Sequence, residues 1–296
     1  MRTVLVAAVL AVFTLSVQAQ CPPSGETAAS LQAHKSRGWK GGKLDDAASR
    51  NALALGLLDC LRSPDPLLRD ELAFDGLQTM MRAGQVEPPA MQQMRVRLLA
   101  ELAQPDASGF GQPFSALVLA EVVRADRMRP FLFPAEREEI VERASAWLAG
   151  VRDYRGFDAK EGWRHGVAHG ADLMVQLAVH PLLQRAQAET MLGAIASQAV
   201  PPGEHFYRYG EGERLMAPVF YLARRGWFSA EDWERWLASV VGRVPQVESP
   251  TQASLAARHN ASAFLQALYV SVMESGNEDV MRALMPGLKQ AIKTLG

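Results

Sequence analysis

An all-α protein is predicted by three features of the sequence. Apolar residues recur at helical spacing, and Pro- and Gly-rich turns interrupt them after roughly 12 to 20 residues. No alternating stretch of strand length is bounded by turn signals at both ends. Helices of that size joined by short turns pack as antiparallel pairs, in a HEAT-like α-solenoid or an α/α array. The chain divides into a signal peptide at 1–19, an N-terminal arm at 20–43 and a single all-helical domain at 44–296.

The signal peptide is read from Arg2, a largely apolar run from Val4 to Leu15, and Val17-Gln18-Ala19 before the cleavage point. The run is too short to anchor a protein permanently in a bilayer, so a periplasmic or secreted protein is expected. Lipid attachment at Cys21 would want a small residue before it, and Gln20 stands there instead. In an oxidising compartment, Cys21 and Cys60 are expected to pair. Closing that loop contributes about 3 to 4 kcal/mol in the chain-entropy model.

In the arm, a short helix is expected around Thr27 to Lys35, followed by a Gly-rich turn. From Leu44, the leucines at 53, 57, 58 and 61 keep helical spacing behind acidic Asp45 and Asp46. Ser63-Pro64-Asp65-Pro66 stops that helix and opens the next, with Asp65 as N-cap and Pro66 in the first turn. Pro88 opens a helix to about Ala103, FSALVLAEVV reads as a buried central helix, and Pro134 opens another. After a loop at 153–158 comes the helix of GWRHGVAHGAD, stopped by His180-Pro181. Further helices are expected at 185–198, 211–225, after the Ser229 cap, at 251–273 and, capped by Asn277, at 278–295.

Hydrophobic residues make up 48% of the chain and charged ones 21%, an ordinary globular balance. The formal net charge is −1 with no basic stripe, which argues against nucleic acid as a partner. No later stretch has the length or apolarity of a membrane span. The expected partner is a small molecule or a peptide.

The candidate site is the stretch Gly162 to Asp172. On one helix, His165, His169 and Asp172 fall within about 60° of one another, and Glu161 and Gln176 extend the stripe. His165 and His169 have the i, i+4 spacing of helical zinc sites, with Asp172 as a third ligand, so a divalent metal such as zinc is one cofactor reading. Gly166 follows His165 where metalloproteases carry glutamate, which excludes HExxH chemistry. A metal-free reading pairs a histidine base with Asp172 as its orienter, as in a hydrolase. The structural alternative is a hydrogen-bonded polar seam in the core. Gly162, Gly166 and Gly170 border it, for close helix packing or for ligand space.

Farther along, Glu213 can add a ligand or general acid and Arg214 can clamp an anion, against a capping role for Glu211 and Glu213. His205 lies on an aromatic, polar loop of the kind that rims a pocket. Asn260, buried in a helix, needs partners for its amide. His34 and His180 look incidental.

RGFDAKEGWRHGVAHGADLM, together with PFSALVLAEVVRAD, DPLLRDELAFDGL and GEGERL, resembles the bacterial family catalogued as domain of unknown function 2785. A departure lies at Gln112-Pro113, where a polar and basic pair is expected. The resemblance implies an all-helical, HEAT-like fold and no particular reaction. Two functions stay open: a metal- or His/Asp-dependent hydrolase, and a non-catalytic binding or scaffold protein of the cell envelope.

Overall fold

Caps and first-turn prolines start the helices close to where the sequence places them. A computed structural model describes residues 20–296; the signal peptide expected at 1–19 lies outside the described residues. In chain order the helices are α1 (Ala28–Ser36), α2 (Ala47–Leu57), α3 (Asp75–Arg82), α4 (Pro88–Leu102), α5 (Gly111–Met128) and α6 (Pro134–Gly150). They continue as α7 (Gly166–Ala178), α8 (Arg185–Ala199), α9 (Glu211–Ala223), α10 (Ala230–Val241), α11 (Gln252–Glu274) and α12 (Glu278–Leu295). Tight 3₁₀ turns at Gly42–Asp45 and Leu58–Arg62 flank α2, and wider π-type turns at Leu67–Phe74 lead into α3.

The side chains of Thr27, Asp46, Ser229, Thr251 and Asn277 accept a backbone N–H in the first turns of α1, α2, α10, α11 and α12. Pro88 and Pro134 occupy first-turn positions whose N–H would have no helical partner. The protein is all-α; the β structure among the described residues is one antiparallel pair, β1 (Phe157–Asp158) with β2 (Gly162–Trp163).

Packing follows an alternating rule. Helices α5, α7, α9 and α11 lie side by side in one row, and α4, α6, α8, α10 and α12 in a second. Each helix therefore packs on the one two ahead of it, as consecutive antiparallel hairpins do when stacked. Helix α7 sits inside, between α5 and α9 in its own row and against α6 and α8 of the other. Ten of its 13 residues are buried, so a polar side chain on almost any face of it lies in the interior.

Cys21 and Cys60 form the expected disulfide. It clips the arm to the turn after α2, and it occupies the sulfur that lipid attachment would need. The arm also buries Leu31 and Trp39 in the core. Among the described residues, no helix is long and apolar enough to cross a membrane.

The structure corrects the expectation at the candidate stretch. The helix begins at Gly166, four residues later than GWRHG suggests, because the preceding residues form a hairpin. Asp158 Oδ1 accepts the N–H groups of Lys160 (2.8 Å) and Glu161 (2.9 Å), closing the turn, and Gly162 follows at φ +76°, outside the helical region. Arg164 N–H then donates to Gly156 O and His165 N–H to Arg155 O, both at 3.1 Å.

Candidate functional site

Two arginines and one aromatic ring hold the hairpin in place. Arg69, fully buried, donates to Glu161 O at 2.7 Å and lies 4.0 Å from the Phe110 ring centre. The Arg164 guanidinium is 4.2 Å from that ring centre, donates to Ser108 O at 2.8 Å and pairs with Glu161 at 2.7 Å. Phe110 is thus contacted by two cations, each attracted by its π-face. The anchoring positions His165 as the residue immediately before α7.

His165 has φ 54° and ψ 42°, the left-handed region that a non-glycine residue enters at a cost. Its carbonyl still accepts the His169 N–H at 3.0 Å, so the helix starts from it. The ring stacks on Trp163 at 4.8 Å and is 8% exposed. Its Nε2 has no hydrogen-bond partner and lies 3.7 Å from Glu211 Oε1. Burial pushes the His165 pKa down, and the Glu211 carboxylate opposes that shift.

His169 lies one turn into α7, 6.0 Å from the His165 ring centre and edge-on to Phe114 at 5.0 Å. Burial, then the neighbouring His165 and Arg214, bring its pKa down to about 3. It is a neutral imidazole at ordinary pH, and its Nδ1 has no partner.

The rest of the expected seam is divided. Asp172 turns to Arg214, whose Nη1 donates to Oδ2 at 2.7 Å; burial raises the carboxyl pKa and Arg214 lowers it. Among the described residues, no group of three or more His, Cys, Asp or Glu side chains is arranged to hold a metal ion. His165, His169 and Asp172 are therefore not brought together as a ligand set. Glu161 belongs to the hairpin turn. Glu213 is exposed, and it is Glu211 that meets His165.

Glu211 is the functional candidate that the residue pattern understated. It is 2% exposed, and its Oε2 accepts the Tyr209 N–H at 2.9 Å. It shares a face with buried Leu215, Val219 and Leu222, a spacing that marks position 211 as inward and 213 as outward. Gly212 lets α9 approach α11, since a Cβ there would lie 3.1 Å from the Phe264 nitrogen.

The glycine ladder also resolves into separate roles. Gly162 makes the turn, Gly166 starts the helix, and Gly170 admits Leu148 and Trp147 of α6, where a Cβ would come within 2.8 and 3.0 Å.

The loop of His205 is set by Asn260. Its Nδ2 donates to His205 O and its Oδ1 accepts from Tyr207 N, both at 2.9 Å. The Tyr207 hydroxyl donates to Gln198 O at 3.0 Å, and Gln198 Nε2 donates to Leu148 O at 2.7 Å. His205 stacks on Tyr154 at 5.2 Å, has its pKa lowered by burial, and leaves its Nε2 without a partner.

Between this loop and the hairpin lies a cleft of about 300 Å³, lined by Tyr154, Arg155, Gly156, Phe157, Asp158, Arg164, His205, Arg208 and Tyr209. Arg155 is paired with Asp153 and Arg164 with Glu161. Arg208 is exposed at the cleft, with no ion pair among the described residues. Arg208, Tyr154 and Tyr209 lack any spacing signal in the sequence and are assembled only by the fold.

A family model described as protein of unknown function (DUF2785) matches residues 98–270, which includes α5 to α10 and most of α11. No curated protein and no solved structure matches the chain. The match spans more than half of the 296 residues, and the chain belongs to the DUF2785 family.

Proposed function

We propose that this protein is a non-catalytic binding protein of the cell envelope. In this reading, residues 1–19 direct export, and the helix pairs of 44–296 form one HEAT-like array that presents the cleft. The Cys21–Cys60 disulfide is compatible with an oxidising destination. The ligand is a small molecule or peptide terminus bearing an anionic group.

The observation that carries this reading is Arg208, an exposed cation without an ion pair among the described residues, at a cleft that His205, Tyr154 and Tyr209 also line. A cleft with aromatic walls and a few convergent polar groups is the usual form of a small-ligand site. Titration calorimetry with N-acetyl dipeptides tests it, comparing a free C-terminal carboxylate with its amide. Binding of the carboxylate form, weakened by about tenfold in Arg208→Ala, is expected from loss of one charged hydrogen bond. Equal binding of the amide, or of the carboxylate form by Arg208→Ala, overturns it.

A hydrolytic reading is favoured by one observation, the buried Glu211 carboxylate facing His165 Nε2 at 3.7 Å. Such a pair has the form of a base with its orienter. Turnover of a peptide or ester that is lost in His165→Ala would establish it, and binding without turnover would exclude it for the substrates tried.

A further inference from the structure

The ring of Tyr209 stands between two sets of polar groups. On one side it lines the cleft with Arg208 and His205. On the other it meets His165 edge-on at 6.2 Å and Trp163 at 5.4 Å. Gly156 makes this position available: a Cβ there would fall 2.0 Å from the Tyr209 ring, so the ring lies on bare backbone. Tyr209 is nevertheless 38% exposed, and no hydrogen bond of its side chain appears among the described residues to hold it.

Behind the ring, the Glu211 carboxylate and His165 Nε2 face each other. One Glu211 oxygen takes the Tyr209 N–H, and the other lies 3.7 Å from His165 Nε2. His165 is more than nine-tenths buried and its Nε2 has no hydrogen-bond partner. In the tautomer protonated on Nδ1, Nε2 keeps a lone pair toward the carboxylate.

A lone pair and a carboxylate in this arrangement lack a donor. One nitrogen or oxygen carrying at least two hydrogens can reach both from a single position. An ammonium supplies those hydrogens together with the charge that a buried carboxylate favours, and the faces of Trp163 and Tyr209 attract cations. Arg208, at the cleft on the outer side of Tyr209, is suited to the opposite charge.

We propose that the cleft and the His165–Glu211 pair are one site for a zwitterion of dipeptide size, its ammonium held by Glu211 and His165 and its carboxylate by Arg208. The inference rests on the binding reading above and adds the cationic half of the ligand. Entry requires Tyr209 to swing off Gly156, a side-chain rotation that leaves the Tyr209 N–H on Glu211.

The test uses alanyl-alanine, its N-acetyl derivative and its C-terminal amide with the full mature chain, by calorimetry and by NMR of histidine ring nitrogens. The free dipeptide is expected to bind and to move the His165 Nε2 resonance. N-acetylation is expected to weaken binding by at least about tenfold. In Glu211→Gln, which keeps an acceptor for Tyr209 N–H, that preference is expected to vanish.

Equal affinity for the dipeptide and its N-acetyl form, with the amide unbound, overturns the zwitterion and leaves the anion reading standing. A preference for the free amine that persists in Glu211→Gln also overturns it. Equal binding of the amide removes the carboxylate contact and both readings with it, and failure of all three probes to bind does the same.

Discussion

The two ends of α7 carry histidines of similar burial in opposite states of satisfaction. At the C-terminal end, His180 Nε2 meets Asp126 Oδ2 at 3.1 Å and its Nδ1 accepts the Leu182 N–H at 3.2 Å. Asp126, fully buried, also accepts from Phe131 N (2.7 Å), Leu132 N (2.8 Å) and Arg137 (3.3 Å). Arg225 caps the end of the helix by donating to Ala178 O at 2.8 Å and to His180 O. At the N-terminal end, His165 and His169 each keep a buried nitrogen without a partner, and His165 has a left-handed backbone. A completed buried network fixes structure, whereas unmatched groups on a strained backbone are what a binding site retains at the expense of stability. His180, incidental in the sequence, is thus structural, and the difference lies in its neighbours.

Breaking the completed end is expected to have the largest effect. Asp126→Ala leaves His180, Arg137 and two backbone N–H groups without their acceptor, and a loss of about 3–5 kcal/mol is expected. Urea unfolding measures it; a loss below about 1 kcal/mol would remove the contrast between the two ends.

Acid sharpens the comparison next. His169 is pushed down to about 3, so it stays neutral in the fold while the unfolded chain takes up a proton, and His165 is shifted in the same direction by burial. The contribution of His169 to stability is therefore complete above the ordinary histidine pKa of about 6.5 and is lost as pH falls from there toward 3. For His169 alone the loss reaches roughly 3 kcal/mol by about pH 4. Thermal melts across this range check the slope, which His169→Asn is expected to flatten.

The smallest effect has the opposite sign. His165→Gly removes the left-handed strain and is expected to leave stability unchanged or raise it by about 1 kcal/mol, while weakening dipeptide binding. A melting temperature well below that of the unaltered protein would mean that the His165 ring mainly supports the fold.

Much of the architecture was legible because helix starts are local chemistry. Thr27, Asp46, Ser229, Thr251 and Asn277 cap from within three residues, and Pro88 and Pro134 fix backbone angles by themselves. The hairpin before α7 was not legible as a pattern, since GWRHG keeps helical spacing with His169 and Asp172. What overrides that spacing is the Asp158 turn together with Arg69 and Arg164 reaching from and to distant segments. Asp172 shares a stripe with the two histidines, yet its charge answers to Arg214 on the neighbouring helix.

The sequence by itself determined the helical class, the cap positions, the pairing of Cys21 with Cys60 and the stretch where polar groups concentrate. Those follow from interactions between residues close in the chain, or from a cysteine count that leaves one pairing. Only the tertiary structure decided that Glu211 faces His165, that Asp172 leaves the seam, and that Tyr209 lies on Gly156 between two unmatched polar sets. Such choices depend on which helix packs beside α7 and at what offset, and no local propensity encodes that distance.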